Sequence, residues 1–120
     1  MANVYALVMV LGVLDGDSFK ARVEVWPGQH VTTTVRLAGV DAQELRGKCE
    51  NETRAAKAAQ LRLAELLTDG KVTLSHVKPD KYARRVDAMV YIDGRDVGAV
   101  LMAEGKARYY DGRARGKWCP

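Results

Sequence analysis

Apolar and polar positions divide the chain into a strand-rich first third, a helical middle and a second strand-rich stretch. Val4–Leu14 is almost continuously apolar, broken only by Tyr5 and Gly12, and reads as a buried strand. Ser18–Trp26 alternates with period two: Phe19, Ala21, Val23 and Val25 face one way, Lys20, Arg22 and Glu24 the other. Pro27-Gly28 marks a turn. Val31–Leu37, with three successive threonines between valines, favours extended backbone. The period changes over Glu50–Leu67, where Ala55, Ala59, Leu63, Leu66 and Leu67 recur at helical spacing, with Asn51 as N-cap and Asp69-Gly70 as the stop. Strand character returns at Lys71–Val77 and Val86–Ile92. Asp93-Gly94 is a tight turn. Asp96 caps a second, short helix over Val97–Glu104, with Val97, Val100 and Leu101 inward and Gly105 ending it.

Three strands, a helix, two strands and a helix predict an α+β fold: a five-stranded OB-type Greek-key β-barrel with two helices. A length of 120 residues is that of one domain, so residues 1–120 read as a single unit ending in the basic tail Lys106–Pro120. Such a barrel hosts many functions, so the fold alone does not choose one.

Charge adds little. Nineteen Lys and Arg against fifteen Asp and Glu leave +4, which suits a polyanionic partner without requiring one. No run of about 20 apolar residues predicts a membrane span. Val4–Leu14 has no Lys or Arg before it and no small-residue cleavage site after it, so no signal peptide is read there. Two cysteines, Cys49 and Cys119, are too few and too far apart for a zinc site; they are either free thiols or one long disulfide.

Three polar clusters carry candidate chemistry, and each alone has a plainer reading. Asp15-Gly16-Asp17-Ser18 joins two strands and can be a simple hairpin turn. Arg36 to Glu44 brings one cation and two carboxylates, Asp41 and Glu44, to a strand end, which can be a solvated ion pair. Asp80 to Arg85 can be a polar loop. Together they hold what phosphodiester hydrolysis needs: hard oxygen ligands, a carboxylate to orient or deprotonate water, and two arginines for phosphate oxygens.

In this order, Asp15-Gly16-Asp17-Ser18, Arg36-Leu37 with Gly39-Val40-Asp41 and Glu44, and Asp80-Lys81-Tyr82-x-Arg84 resemble the staphylococcal nuclease family. Asp93-Gly94, Leu101 and Gly105-Lys106-Ala107 extend the likeness, which spans roughly Val10 to Tyr110. The resemblance implies an OB barrel that cuts DNA and RNA with calcium and leaves 3′-phosphate ends. It implies Asp17, Asp41 and the carbonyl of Ala42 as calcium ligands, with Asp15 as a supporting acid. Glu44 would hold the attacking water, and Arg36 and Arg84 would clamp the phosphate. Lys81 and Tyr82 would contact the bound strand, and Tyr109 or Tyr110 would stack on a base. It implies a monomer whose partner is nucleic acid and not a membrane.

The chain departs from the family in four places. Ser18 replaces a threonine and keeps its hydroxyl. Ala42-Gln43 replaces Thr-Pro, which removes a fixed backbone angle from the loop carrying Glu44. Ala83 replaces a glycine, so the turn before Arg84 must avoid positive φ or accept strain. The third, C-terminal helix is shortened or absent. A Cys49–Cys119 bridge would pin the tail in its place; closing about 70 residues stabilises by about 4 kcal/mol in the chain-entropy treatment. It would also imply a secreted or periplasmic, oxidising setting. These departures keep a second reading open, a catalytically weak or inactive module that binds nucleic acid or peptide.

Overall fold

The computed structural model describes residues 3–43 and 49–110. The apolar opening stretch is not one buried strand. It breaks into β1 (Val4–Tyr5) and β2 (Val8–Asp15). One side of this segment faces solvent: Val4 is 65% exposed, Leu7 61%, Met9 57% and Leu11 46%. The reason is position, since β2 covers the core with only one face while both faces carry apolar residues. The next strands follow their alternation. In β3 (Ser18–Trp26), Phe19, Ala21 and Val23 are buried while Lys20 and Arg22 are exposed. β4 (Gln29–Leu37) begins two residues earlier than expected and buries Val35 and Leu37. A short β5 (Val40–Asp41) follows.

The helix α1 spans Glu50–Leu67 as its periodicity requires. Its N-cap is Cys49 rather than Asn51, and no side chain caps it; Thr53 N–H and Oγ1 donate to the Cys49 carbonyl at 3.1 and 3.3 Å. The inward alanines are Ala56 and Ala59, with Ala55 only half-buried. Beyond α1 come β6 (Val72–Pro79), β7 (Arg85–Ile92), β8 (Arg95–Asp96), α2 (Val97–Ala103) and β9 (Arg108–Tyr109). Asp96 caps α2 as read, its Oδ1 accepting the Ala99 N–H at 3.0 Å. Asp93 and Gly94 both take positive φ, 47° and 82°, the backbone a two-residue hairpin requires.

The strand order is β1-β6-β7-β4-β3-β2, antiparallel except for the parallel pair β4–β7. β1 and β2 stand at opposite ends of that order yet are consecutive in the chain. The sheet therefore curls until one segment, residues 4–15, pairs at both ends, the OB-type arrangement of the family. Phe19, Leu37, Leu74 and Ile92 fill the inside, and Leu63 and Leu66 of α1 and Leu101 of α2 close over them. β5 pairs with β9, which fastens the segment after α2 to the loop beyond β4. Two helices occur among the described residues; the third-helix question concerns residues 111–120, which lie outside them.

Candidate active site

The β2–β3 turn is shaped by one carboxylate. Asp15 Oδ1 accepts the Asp17 N–H at 3.0 Å and the Ser18 hydroxyl at 2.7 Å. Burial pushes Asp15 upward, but hydrogen bonding with the Asp17 carboxyl, then with the Ser18 hydroxyl and the backbone N–H groups, outweighs it and holds its pKa below the usual carboxylate range. Gly16 allows the turn to sit tight: a Cβ there would lie 2.6 Å from Ala59 Cβ and 2.8 Å from Ala42 Cβ. Turn, loop and helix thus meet through three small residues.

Asp17 is delivered inward by this turn. Its Oδ2 accepts the Ala42 N–H at 3.1 Å, and its carbonyl accepts the Leu37 N–H at 2.8 Å. Burial, joined by the neighbouring Asp15 carboxyl, pushes its pKa up to about 7 against the partial relief given by Ala42 and Arg36. Arg36, at the end of β4, places Nη2 3.7 Å from Asp17 Oδ2 and 3.9 Å from Asp41 Oδ1. Asp41 is 1% exposed. The same guanidinium donates from Nη1 to the Leu37 carbonyl (3.4 Å) and from Nη2 to the Val40 carbonyl (3.1 Å), and its Cζ lies 5.2 Å from the Tyr110 ring centroid.

The structure therefore brings together Asp15, Asp17, Arg36, Asp41, Ala42 and Tyr110. Glu44 lies outside the described residues. Arg84, Lys81 and Tyr82 belong to the neighbouring turn before β7. Tyr82 is 57% exposed, with Lys81 Nζ and Arg85 Cζ at 5.4 and 5.3 Å from its ring centroid. Arg84 is exposed at φ 62°, and its carbonyl accepts the Thr34 N–H at 3.3 Å. The left-handed residue of this turn is thus Arg84 itself, not Ala83. Neither Lys81 nor Arg84 forms an ion pair with another described residue.

Sequence reasoning missed Asp87. The parallel pairing sets Arg36 beside Asp87, whose carboxyl is pushed up by burial and by a hydrogen bond to the Asp80 carboxyl. Asp80 in turn accepts the Tyr82 N–H at 3.1 Å and lies 3.6 Å from Arg85 Nε. The only sign in the chain is a lone carboxylate inside the Val86–Ile92 strand; its partner across the sheet depends on topology.

Asp17 and Asp41 are two buried carboxylates sharing one guanidinium, and burial raises the Asp17 pKa despite the partial relief from Arg36. Their oxygens are hard donors of the kind calcium or magnesium prefers, so these residues fit a divalent cation. Among the described residues no group of three or more His, Cys, Asp or Glu converges as a metal cluster. Cys49 is disulfide-bonded; Cys119 lies outside the described residues.

The family model described as staphylococcal nuclease homologue matches residues 34–117. The chain belongs to that family. It is also 35% identical over 98 residues to endonuclease YncB of Bacillus subtilis (strain 168), across 79% of this chain and 44% of that protein. The chain thus spans less than half the length of this curated relative. Membership at the family level supports a nuclease-type function.

Proposed function

We propose that the protein is a calcium-dependent phosphodiesterase that hydrolyses DNA or RNA and leaves 3′-phosphate ends. The observation that carries the proposal is the convergence of Asp17, Asp41 and Arg36 at one end of the barrel, two buried acids each within 4 Å of one guanidinium. Asp17, Asp41 and the Ala42 carbonyl would hold the cation, which supplies Lewis-acid polarisation of a phosphate oxygen. Arg36 binds phosphate oxygens through its fork and meets the charge that builds in the transition state. Arg84 offers a second guanidinium from the adjacent turn. Glu44 orients water and takes its proton. Lys81 and Tyr82 bind the strand's flanking phosphate, and Tyr109 or Tyr110 a base. Such contacts tolerate many sequences, because phosphates and ring faces are common to every nucleotide. The disulfide at Cys49 supports an oxidising, secreted or periplasmic setting; two titratable thiols in freshly isolated, unreduced protein would speak against it.

The test is incubation of the protein with single-stranded DNA at alkaline pH in calcium and then in chelator. Cleavage in calcium, its loss in chelator and 3′-phosphate ends are expected. Glu44→Gln should lower kcat by roughly 10²–10⁴-fold with the fold intact. Absence of cleavage overturns the proposal, and binding of the strand without cleavage would favour the non-catalytic module that Ala42-Gln43 leaves open.

A further inference from the structure

Tyr109 and Tyr110 are neighbours in sequence but stand in different surroundings. β9 pairs Tyr109 with Val40 and Arg108 with Asp41, and the Tyr110 N–H donates to the Gly39 carbonyl at 2.9 Å. All three residues are thereby fastened to the loop that follows Arg36. Side chains of an extended segment alternate between its two sides. Tyr109 is 74% exposed, whereas Tyr110 is half-buried with its ring against Arg36, 5.2 Å from centroid to Cζ and within cation–π range.

The polar contacts of Arg36 leave one freedom. Its hydrogen bonds to the carbonyls of Leu37 and Val40, with the Asp17 and Asp41 carboxylates beside Nη2, hold one edge of the guanidinium. They do not fix the tilt of its plane about that edge. A ring packed beside the planar group does. Tilt matters because a phosphate is gripped by the remaining donors only when they point at its oxygens.

We infer that Tyr110 is a positioning residue that sets the plane of the Arg36 guanidinium. Tyr109 is then the ring left open to a substrate base. The role in turnover rests on the phosphodiesterase reading; the contact itself does not. Because the contact with Arg36 is made by the ring, Tyr110→Phe keeps that contact.

Two measurements on Tyr110→Phe, Tyr110→Leu and Tyr109→Leu test this. The first is the Arg36 Nε–Hε resonance in a ¹H–¹⁵N spectrum, assigned by its absence from Arg36→Lys. Its ring-current shift should persist in Tyr110→Phe and Tyr109→Leu and vanish in Tyr110→Leu. The second is steady-state cleavage of a single-stranded oligonucleotide in calcium. Tyr110→Leu should lower kcat about five- to tenfold with KM within about twofold, and Tyr110→Phe should restore it. Tyr109→Leu should instead raise KM. The inference is overturned by an Arg36 resonance indifferent to Tyr110→Leu, by a Tyr110→Phe loss as large as that of Tyr110→Leu, or by a Tyr110→Leu effect on KM alone. Should Tyr110→Leu fail to fold, Tyr110→Met deletes the ring with a more adaptable side chain. If the wild-type protein cleaves nothing, the phosphodiesterase reading falls, and the resonance still decides whether Tyr110 orients Arg36.

Discussion

Arg84 holds φ at 62°, where a residue bearing Cβ is strained by roughly 1–2 kcal/mol. The backbone there serves the sheet, since the Arg84 carbonyl accepts both the Thr34 N–H and the Thr33 hydroxyl at 3.3 Å. Glycine would take this conformation without strain, while the side chain it removes is one proposed to grip phosphate. Arg84→Gly should therefore raise stability by up to about 1 kcal/mol while lowering kcat/KM at least about tenfold, a trade expected where strain sits in a functional site. A denaturant melt showing a less stable Arg84→Gly would mean that side-chain contacts outweigh the strain. Gly16 makes the opposite case. A Cβ there meets Ala42 and Ala59 below 3.0 Å, so Gly16→Ala must push the Asp17 turn off α1. It should lose about 1–3 kcal/mol and weaken calcium binding together. An unchanged calcium titration would show that the turn tolerates the shift. Asp17, Arg36 and Asp41 were legible because each is a polar residue delivered by a strand end in a recognisable order. The small size of Ala59 as a partner for Gly16 was not, since nothing local links positions 16 and 59.

The elements were legible where one face differs from the other. Ser18–Trp26 alternates in composition, and its burial follows; α1 runs over the residues its periodicity marks. Val4–Leu14 misled because apolar residues occupy both faces, so composition could not say that one faces water. That correction has a consequence for stability. Met9→Thr, on the exposed side, should change stability by no more than about 0.5 kcal/mol, whereas Phe19→Ala in the fully buried row should lose about 3–5 kcal/mol. Comparable losses would restore the buried-strand reading. The short strands β5 and β9 escaped notice for another reason. Two-residue pairings carry no periodicity, and their partners are far apart in sequence. They nevertheless bring Tyr110 to Arg36, as the parallel β4–β7 pairing brings Asp87.

At the scale of the whole molecule, burial at the barrel end favours a protonated Asp17, a proton that a cation at the proposed site would displace. The folded pKa of Asp17 is raised from 3.8 to about 7, chiefly by burial. Between those two values the folded state holds a proton that the unfolded state has released. Stability of the chelated protein should therefore fall as pH rises from about 4 to about 7, by at most about 4 kcal/mol, and level off above. Asp15 acts with the opposite sign: its lowered pKa removes stability only as pH drops below the ordinary carboxylate value, outside that window. A divalent cation at the proposed site would bind the ionised carboxylate and so compete with this proton. Calcium should raise the melting temperature more at pH 8 than at pH 5, and its apparent affinity should weaken by up to about tenfold per unit below pH 7. Calorimetric melts with calcium and with chelator, run across this range, measure both effects. Equal stabilisation by calcium at pH 5 and pH 8 would separate the cation from Asp17. It would leave the raised pKa of that carboxyl as a property of burial alone, and the proposed metal site would lose one of its two buried acids.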